Sequence, residues 1–168
     1  EGRGVFYDFV RLDGIALADI AEALTDAQIP TRLAAHRAVN GSTIIDDTYN
    51  ASPDSMRAAL DLLGEVPGRK FAVLGDMREL GVAAHDGHIQ VGRRAAEVAD
   101  VIYAVGDLGR WIGDAAFQAG HGDVHIVMDK SEIAPALLPQ LAPGDVVLVK
   151  GSRALALETV VAELEEKA

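Results

Sequence analysis

The sequence contains no cysteine, which excludes a disulfide framework and thiolate chemistry. Basic residues are also scarce: 15 Lys and Arg stand against 26 Asp and Glu, which gives a net charge of −11. This charge argues against nucleic acid or an anionic membrane as a partner, because both attract Lys and Arg. A nucleotide remains compatible with it, since a nucleotide needs only a local cationic or N–H-lined site.

Long apolar runs are missing as well. No run approaches the ~20 residues that a membrane-spanning helix requires. No basic segment followed by an apolar one opens the sequence, so we expect no signal peptide and a cytoplasmic location. The 168 residues are 49% hydrophobic, which is enough for one core. We therefore expect a monomer with one domain and a short appendage.

Short apolar runs alternate with amphipathic stretches along most of the chain. The predicted strands are Arg32–Val39, Thr43–Asp46, Phe71–Leu74, Val101–Val105, Val124–Val127 and Val146–Val149. The predicted helices are Pro53–Leu63, Gly87–Val98, Leu108–Ala119, Glu132–Leu141 and Ala154–Glu166. This alternation predicts an α/β fold: a doubly wound, mostly parallel six-stranded sheet with helices on both faces and the first strand antiparallel at an edge.

Residues 1–30 have a different character from the rest. Their spacing predicts a helix over Leu17–Leu24, and Gln28-Ile29-Pro30 then predicts a linker, because the residue before proline is pushed out of the helical region. We predict that residues 31–168 form the domain. Residues 1–30 are interpreted as a remnant of a preceding domain, a linker or vector sequence.

A polar loop after the second predicted strand carries two carboxylates, Asp46 and Asp47. Ser52 suits the N-cap of the helix that follows, and Pro53 suits its first position. In open α/β sheets, ligands bind outside the carboxyl ends of the strands, so these side chains are well placed to meet one. A solvated, well-capped turn is the alternative that this geometry leaves open.

Two groups of catalytic motif are absent from the sequence. It has no G-x-x-x-x-G-K-[ST] loop to cradle the β- and γ-phosphates of a nucleotide, and no G-x-S-x-G elbow. His85 and His88 are three residues apart and could share one face of a helix, but no cysteine or third ligand accompanies them. We therefore predict neither a metal site nor a complete catalytic site in this chain.

Four blocks of sequence carry a family resemblance. The string DDTYNASPDSMRAAL at residues 46–60 resembles the start of the C-terminal domain of the Mur ligases. AVLGDMRELG at 72–81, GHIQVG at 87–92 and VLVKGSRALALE at 147–158 follow in that family's order. The resemblance covers residues 31–168 and implies a Rossmann-like domain of an ATP-dependent, amide-bond-forming enzyme. It also implies that the missing N-terminal and central domains hold the UDP-sugar, the P-loop and the Mg²⁺ ligands, so this chain alone should be inactive.

The substrates implied by the resemblance are ATP with Mg²⁺, UDP-N-acetylmuramoyl-tripeptide and D-alanyl-D-alanine. It implies that Asp47 accepts hydrogen bonds from the ribose hydroxyls. Tyr49 and Asn50 offer a flat ring and an amide that suit the adenine. Arg32 matches an arginine that reaches the nucleotide phosphates in the family, a task that suits a guanidinium. A salt bridge in the linker is the alternative for Arg32.

The second substrate, D-alanyl-D-alanine, needs a cation for its carboxylate. Lys150, Ser152 and Arg153 follow the last strand and precede a predicted helix, whose N-terminal N–H groups would favour an anion. Asp107 and Arg110 lie where related ligases that add diaminopimelate or lysine carry an aspartate–arginine motif. Another strand is followed by Asp76 and Glu79, which we expect to orient the amine or to contact the central domain.

A phosphorelay receiver domain is the alternative from another class. A receiver also has an acidic pair after its first parallel strand and a lysine after its last, which Asp46, Asp47 and Lys150 would supply. Its phosphorylated aspartate would then be Asp76. A likeness at the level of the fold is a weak guide to function, and acetyl phosphate with Mg²⁺ would label a receiver on aspartate but not a ligase. A non-catalytic interaction module is a third class, which no feature of the sequence requires.

Overall fold

The computed structural model describes residues 33–165, so the predictions for Leu17–Leu24 and Arg32 lie outside the described residues. The described chain forms a six-stranded sheet in the order β1-β2-β6-β3-β4-β5. β1 is antiparallel to β2, and the other neighbours are parallel. The strands are β1 Ala34–Arg37, β2 Thr43–Asp47, β3 Lys70–Gly75, β4 Val101–Val105, β5 Val124–Val127 and β6 Val146–Lys150. The predicted fold class is confirmed, with β1 at the edge.

Five α-helices accompany the strands of residues 33–165. They are α1 Pro53–Glu65, α2 Ala84–Val98, α3 Arg110–Gln118, α4 Ile133–Leu137 and α5 Glu158–Leu164. The start of α1 agrees with the sequence, because Ser52 is the N-cap, accepts the N–H of Ser55 at 3.3 Å and precedes Pro53 at the first position. Within this part of the chain, no helix is long and apolar enough to cross a membrane.

Both faces of the sheet are covered, so its central strands are apolar throughout. In β3, Ala72 and Leu74 pack in one cluster with residues of α1, α2 and α3. Phe71 and Val73 point to the opposite face and pack with residues of α4 and α5. This two-sided burial explains why these strands show no polar alternation in the sequence.

Two predicted helices differ from the structure. Glu132–Leu141 is divided: α4 lies between 3₁₀ turns at Lys130–Glu132 and Leu138–Gln140. Ala154–Glu166 is replaced at its start by a 3₁₀ turn over Arg153–Leu155 and by Ala156 at φ 49°, so α5 begins only at Glu158. The leucines that suggested a continuous helix instead pack over the ends of β3 and β6, where a Cβ on Gly75 would collide with Leu155.

The position of β6 creates two crevices at the carboxyl edge of the sheet. β6 lies between β2 and β3, and its chain continues to α5 on one face. β2 and β3 instead continue to α1 and α2 on the other face. Ligands bind at such reversals in open α/β sheets, so the β2–β6 crevice and the β3–β6 crevice are the places to look for a site.

Candidate functional site

A cleft of about 210 Å³ opens at the β2–β6 crevice. It combines an aromatic ring, apolar side chains, one guanidinium and two carboxylates. The lining residues are Leu33, Ala34, Asp46, Thr48, Tyr49, Arg153 and Glu158. Since β2 and β6 are parallel neighbours, the loops that follow them meet at the same edge and form two walls of the cleft, beside Leu33 and Ala34 at the start of β1.

Tyr49 and Arg153 face each other across this cleft. The Arg153 Cζ lies 5.5 Å from the centroid of the Tyr49 ring, and both side chains are exposed, Tyr49 by 48%. An exposed ring beside a guanidinium offers stacking and positive charge at one place. The sequence assigned these two residues to different ligands, whereas the structure brings them into one cleft.

A buried ion pair lies at the base of the loop that carries Tyr49. Asp47 and Lys150 are register partners at the ends of β2 and β6, and the Lys150 Nζ is 2.6 Å from the Asp47 Oδ2. Only 2% of the Lys150 side chain and 6% of the Asp47 side chain are exposed. The Lys150 Nζ also donates to the carbonyl oxygen of Asn50 at 2.8 Å.

This pair shows what the two side chains contact within the domain. The Lys150 ammonium faces Asp47 and the Asn50 carbonyl, and Asp47 directs its Oδ2 to Lys150. The predicted contacts of Lys150 with the dipeptide and of Asp47 with the ribose stay predictions. Asn50 is exposed, and its Oδ1 accepts the N–H of Ala51 at 2.8 Å.

Ser152 is buried and its backbone N–H is bonded within the domain. This N–H donates to the carbonyl oxygen of Asp76 at 2.9 Å, and the residue is 4% exposed. A 3₁₀ turn follows it where the sequence predicted a helix. The contact of Ser152 with the second substrate stays a prediction.

Asp76 follows β3 and connects it to the chain after β6 and after β4, and its carbonyl oxygen accepts the Ser152 N–H at 2.9 Å. Its Oδ1 accepts the N–H groups of Leu108 at 2.9 Å and Gly109 at 2.8 Å, and its side chain is 1% exposed. The carboxylate therefore fixes the start of α3, and its predicted contact with the amine or with the central domain stays a prediction. Glu79 is exposed and lies at φ 66° in the same loop.

Asp107 and Arg110 lie at the carboxyl end of β4, and both are exposed. β3 separates β4 from β6 in the sheet, and neither residue lines the cleft at the β2–β6 crevice. The structure therefore places these two apart from Tyr49 and Arg153. Their predicted contact with the second substrate stays a prediction.

Both ring nitrogens of His88 contact backbone groups of the domain. Its Nε2 accepts the N–H of Met77 at 2.9 Å, and its Nδ1 lies 2.6 Å from the carbonyl oxygen of Ala84. The Nδ1 must then carry the proton, and burial lowers the pKa of His88 below its ordinary value. Within residues 33–165, no group of three or more His, Cys, Asp or Glu residues could hold a metal ion.

Sequence reasoning missed four lining residues of the cleft: Leu33, Ala34, Thr48 and Glu158. The Thr48 N–H donates to the Asp46 Oδ1 at 2.9 Å, which turns the chain directly after β2. An Asp two residues before a turn residue is a sequence pattern that predicts this contact. No sequence pattern indicated that Glu158 lines the cleft, because its position depends on a 3₁₀ turn in a segment that was predicted to be helical.

Comparisons with known proteins identify the family. The family model for the Mur ligase, glutamate ligase domain, matches residues 31–153. The UDP-N-acetylmuramoyl-tripeptide–D-alanyl-D-alanine ligase of Bacillus subtilis is 35% identical over 158 residues, which cover 91% of this chain and 35% of the relative. The same ligase of Escherichia coli is 37% identical over 141 residues, covering 82% of this chain and 30% of the relative. The chain spans about a third of the length of the curated relatives it matches.

Solved structures agree with the sequence comparisons. MurF ligase from Thermotoga maritima in complex with ADP has a TM-score of 0.71 at 34% identity, covering 81% of this chain and 30% of that one. MurF from Acinetobacter baumannii has a TM-score of 0.72 at 35% identity, covering 92% and 35%. The receiver interpretation is not supported, because the matching family model and these relatives are ligases. The chain therefore belongs to the Mur ligase family.

Proposed function

We propose that this chain is the C-terminal domain of a longer ATP-dependent ligase that joins D-alanyl-D-alanine to UDP-N-acetylmuramoyl-tripeptide. Its curated relatives from Bacillus subtilis and Escherichia coli carry that activity in their names. The product would complete the peptide of a peptidoglycan precursor in the cytoplasm. We propose that the enzyme acts as a monomer, with its N-terminal and central domains supplying the UDP-sugar site and the phosphate chemistry.

The cleft at the β2–β6 crevice would form one wall of the ATP site. The observation that carries this proposal is the exposed Tyr49 ring beside the Arg153 guanidinium at a reversal in the sheet. The ring suits the face of an adenine, and the guanidinium suits its edge or a phosphate oxygen. A relative solved with ADP supports a nucleotide as the ligand. Asn50 and Arg32 remain our proposals for further contacts with ATP.

The dipeptide would approach along the β4 side of the same edge. Arg110 is exposed there and could bind the carboxylate of D-alanyl-D-alanine, with Asp107 beside it for the amine. Glu79, also exposed, is our proposal for a contact with the central domain. This arrangement separates the two substrates across the sheet, with ATP near β2 and the dipeptide near β4.

The chemical share of this domain would be positioning. Amide formation needs the dipeptide amine to reach an acyl phosphate in a site closed against water, and a mobile domain can supply both conditions. Mg²⁺ would accompany ATP. Residues 33–165 contain no cluster of acidic or histidine side chains that fits a metal ion, so we assign the Mg²⁺ ligands to the central domain.

The test is an ADP-release assay with the full-length ligase. ADP should appear only when ATP, UDP-N-acetylmuramoyl-tripeptide and D-alanyl-D-alanine are all present, and omission of any one should abolish it. D-glutamate and L-lysine, offered in place of the dipeptide, serve as controls for other reactions of the family. Release that depends on either amino acid would contradict the proposed substrate, and the isolated chain should release no ADP at all.

A further inference from the structure

We propose that Lys150 is a positioning residue that fixes the loop Thr48–Asn50 from below, so that Tyr49 stands at the correct height and angle in the cleft. Only the naming of ATP as the ligand of this loop rests on the proposed function. The sequence had suggested that Lys150 binds the dipeptide carboxylate, whereas the geometry points to the backbone of the nucleotide loop.

The position of Lys150 follows from the sheet. Asp47 and Lys150 are paired at the ends of adjacent parallel strands, so the lysine side chain starts level with the last residue before the loop. Its Nζ lies 2.6 Å from the Asp47 Oδ2 and donates to the Asn50 carbonyl at 2.8 Å. One ammonium thus contacts the residues on both sides of Thr48 and Tyr49.

Burial gives these contacts their strength. The Lys150 side chain is 2% exposed, so its charge is screened by little water and needs fixed partners. Asp47 balances the charge, and the Asn50 carbonyl oxygen accepts a hydrogen bond from the ammonium. The loop carbonyl is therefore held by a charged donor in a nearly dry environment, where such bonds are strong.

Lys150 is also close in sequence to Arg153, which lies on the other wall of the cleft from Tyr49. Arg153 lies three residues after Lys150 and stands beside the Tyr49 ring. Between them, the Ser152 N–H is bonded to the Asp76 carbonyl, so the chain that leaves β6 has a fixed course. Movement at Lys150 would therefore alter the distance between Tyr49 and Arg153 from both sides.

A buried ion pair can also serve stability alone, and a double variant separates the two roles. Replacing one member leaves an uncompensated buried charge, whereas replacing both with apolar residues of similar size often restores stability. The variant Asp47→Leu/Lys150→Met removes both charges and also the bond to the Asn50 carbonyl. If Lys150 positions the loop, this variant regains thermal stability without regaining function.

The experiment measures Tm and, in the full-length ligase, kcat/KM for each substrate. We expect Lys150→Met to lower kcat/KM for ATP about tenfold or more, the usual effect of losing a charge-assisted hydrogen bond. The double variant should recover the wild-type Tm and keep this loss for ATP, while kcat/KM for D-alanyl-D-alanine at saturating ATP stays unchanged. Lys70→Met is the matched control. The Lys70 Nζ also donates to a backbone carbonyl, that of Gly68 at 3.1 Å, but it lies at the amino end of β3 and not at the edge that carries the cleft.

Two results would overturn the proposal. Full recovery of kcat/KM for ATP in the double variant would show that the pair serves stability alone. A selective loss for the dipeptide would return Lys150 to the second substrate. A readout independent of substrate is amide hydrogen exchange at residues 48–52 in the 168-residue chain, which should accelerate in the double variant but not in Lys70→Met. Accelerated exchange in a protein without the expected ligase activity would contradict the proposed function and support the positioning role.

Discussion

The two crevices beside β6 share one topology and differ in what fills them. The β3–β6 crevice is closed: the Ser152 N–H donates to the Asp76 carbonyl oxygen there at 2.9 Å, and Leu155 and Leu157 pack over Gly75 and Gly151. The β2–β6 crevice stays open, with Tyr49 and Arg153 exposed on its walls. A chain reversal in a sheet thus provides a place for a ligand, and the side chains decide whether that place is used.

Side-chain length explains part of this difference. At the closed crevice, a Cβ on Gly151 would lie 2.7 Å from the Leu157 Cδ1 and 3.2 Å from the Gly75 Cα, so a larger residue there would force its neighbours to shift. At the open crevice, the long side chain of Lys150 lies buried beneath the loop and meets Asp47. The loop is supported from below, and its aromatic residue remains outside.

The largest expected effect is at Asp76, which lies beside the closed crevice. Asp76→Ala leaves the N–H groups of Leu108 and Gly109 without their acceptor, which should lower the free energy of unfolding by roughly 2–6 kcal/mol. Urea denaturation of the 168-residue chain measures this loss. Asp76→Asn is the matched control, because it keeps an oxygen at the Oδ1 position and should cost less. A loss below about 1 kcal/mol for the alanine variant would contradict the structural role of the carboxylate.

Substitutions at the open crevice should spare the fold and affect activity. Tyr49→Ala should change the free energy of unfolding by less than about 0.5 kcal/mol, as is usual at exposed positions. Stacking of a base on an aromatic ring is worth about 1–3 kcal/mol, so kcat/KM for ATP in the full-length ligase should fall about 5- to 100-fold. Tyr49→Phe keeps the ring and should remain near the wild type.

Arg153→Ala tests two assignments of this residue. The sequence suggested that Arg153 binds the dipeptide, whereas the structure places it beside Tyr49 in the cleft that we propose for ATP. If Arg153 works with Tyr49, its loss should lower kcat/KM for the same substrate, ATP. A selective loss for D-alanyl-D-alanine would instead support the sequence-based assignment. Arg110→Ala, at the end of β4, is the matched variant for the dipeptide.

The smallest expected effect concerns pH and the closed side of the molecule. Burial lowers the pKa of His88 below its ordinary 6.5, although the Asp76 charge opposes the shift. The unfolded chain then binds more protons, so stability is complete above about pH 6.5 and is lost as the pH falls toward the lowered pKa of the folded state. His88→Gln should remove this slope in urea denaturation between about pH 7.5 and 5.5. A slope that persists in His88→Gln would assign it to other groups.

The sequence predicted what depends on local pattern. Apolar runs predicted the six strands, and Ser52-Pro53 predicted the start of α1. Both predictions succeed because burial and capping depend on residues that are neighbours in the sequence. Met56 is buried in the core, whereas Met128 is 61% exposed. Whether a single methionine is buried depends on packing, and packing depends on residues far away in the chain.

The sequence did not reveal which residues of the site meet. The insertion of β6 between β2 and β3 sets the pairing of Asp47 with Lys150, and no local pattern encodes that order. The same insertion brings Arg153 to Tyr49, which the sequence had assigned to another ligand. Residue types were therefore sufficient to find candidates, and strand order was needed to group them.

The central place of β6 has a consequence for how the chain folds during synthesis. β6 is the last strand of the described residues, yet it lies between β2 and β3, and Lys150 contacts the carbonyl of Asn50 across 100 residues of sequence. Until residues 146–150 leave the ribosome, β2 and β3 each expose an edge that invites pairing with other chains. Contacts of such long range also form slowly. The described domain therefore exposes these two strand edges until residues 146–150 have been synthesised, and its cleft and its core are completed in the same step.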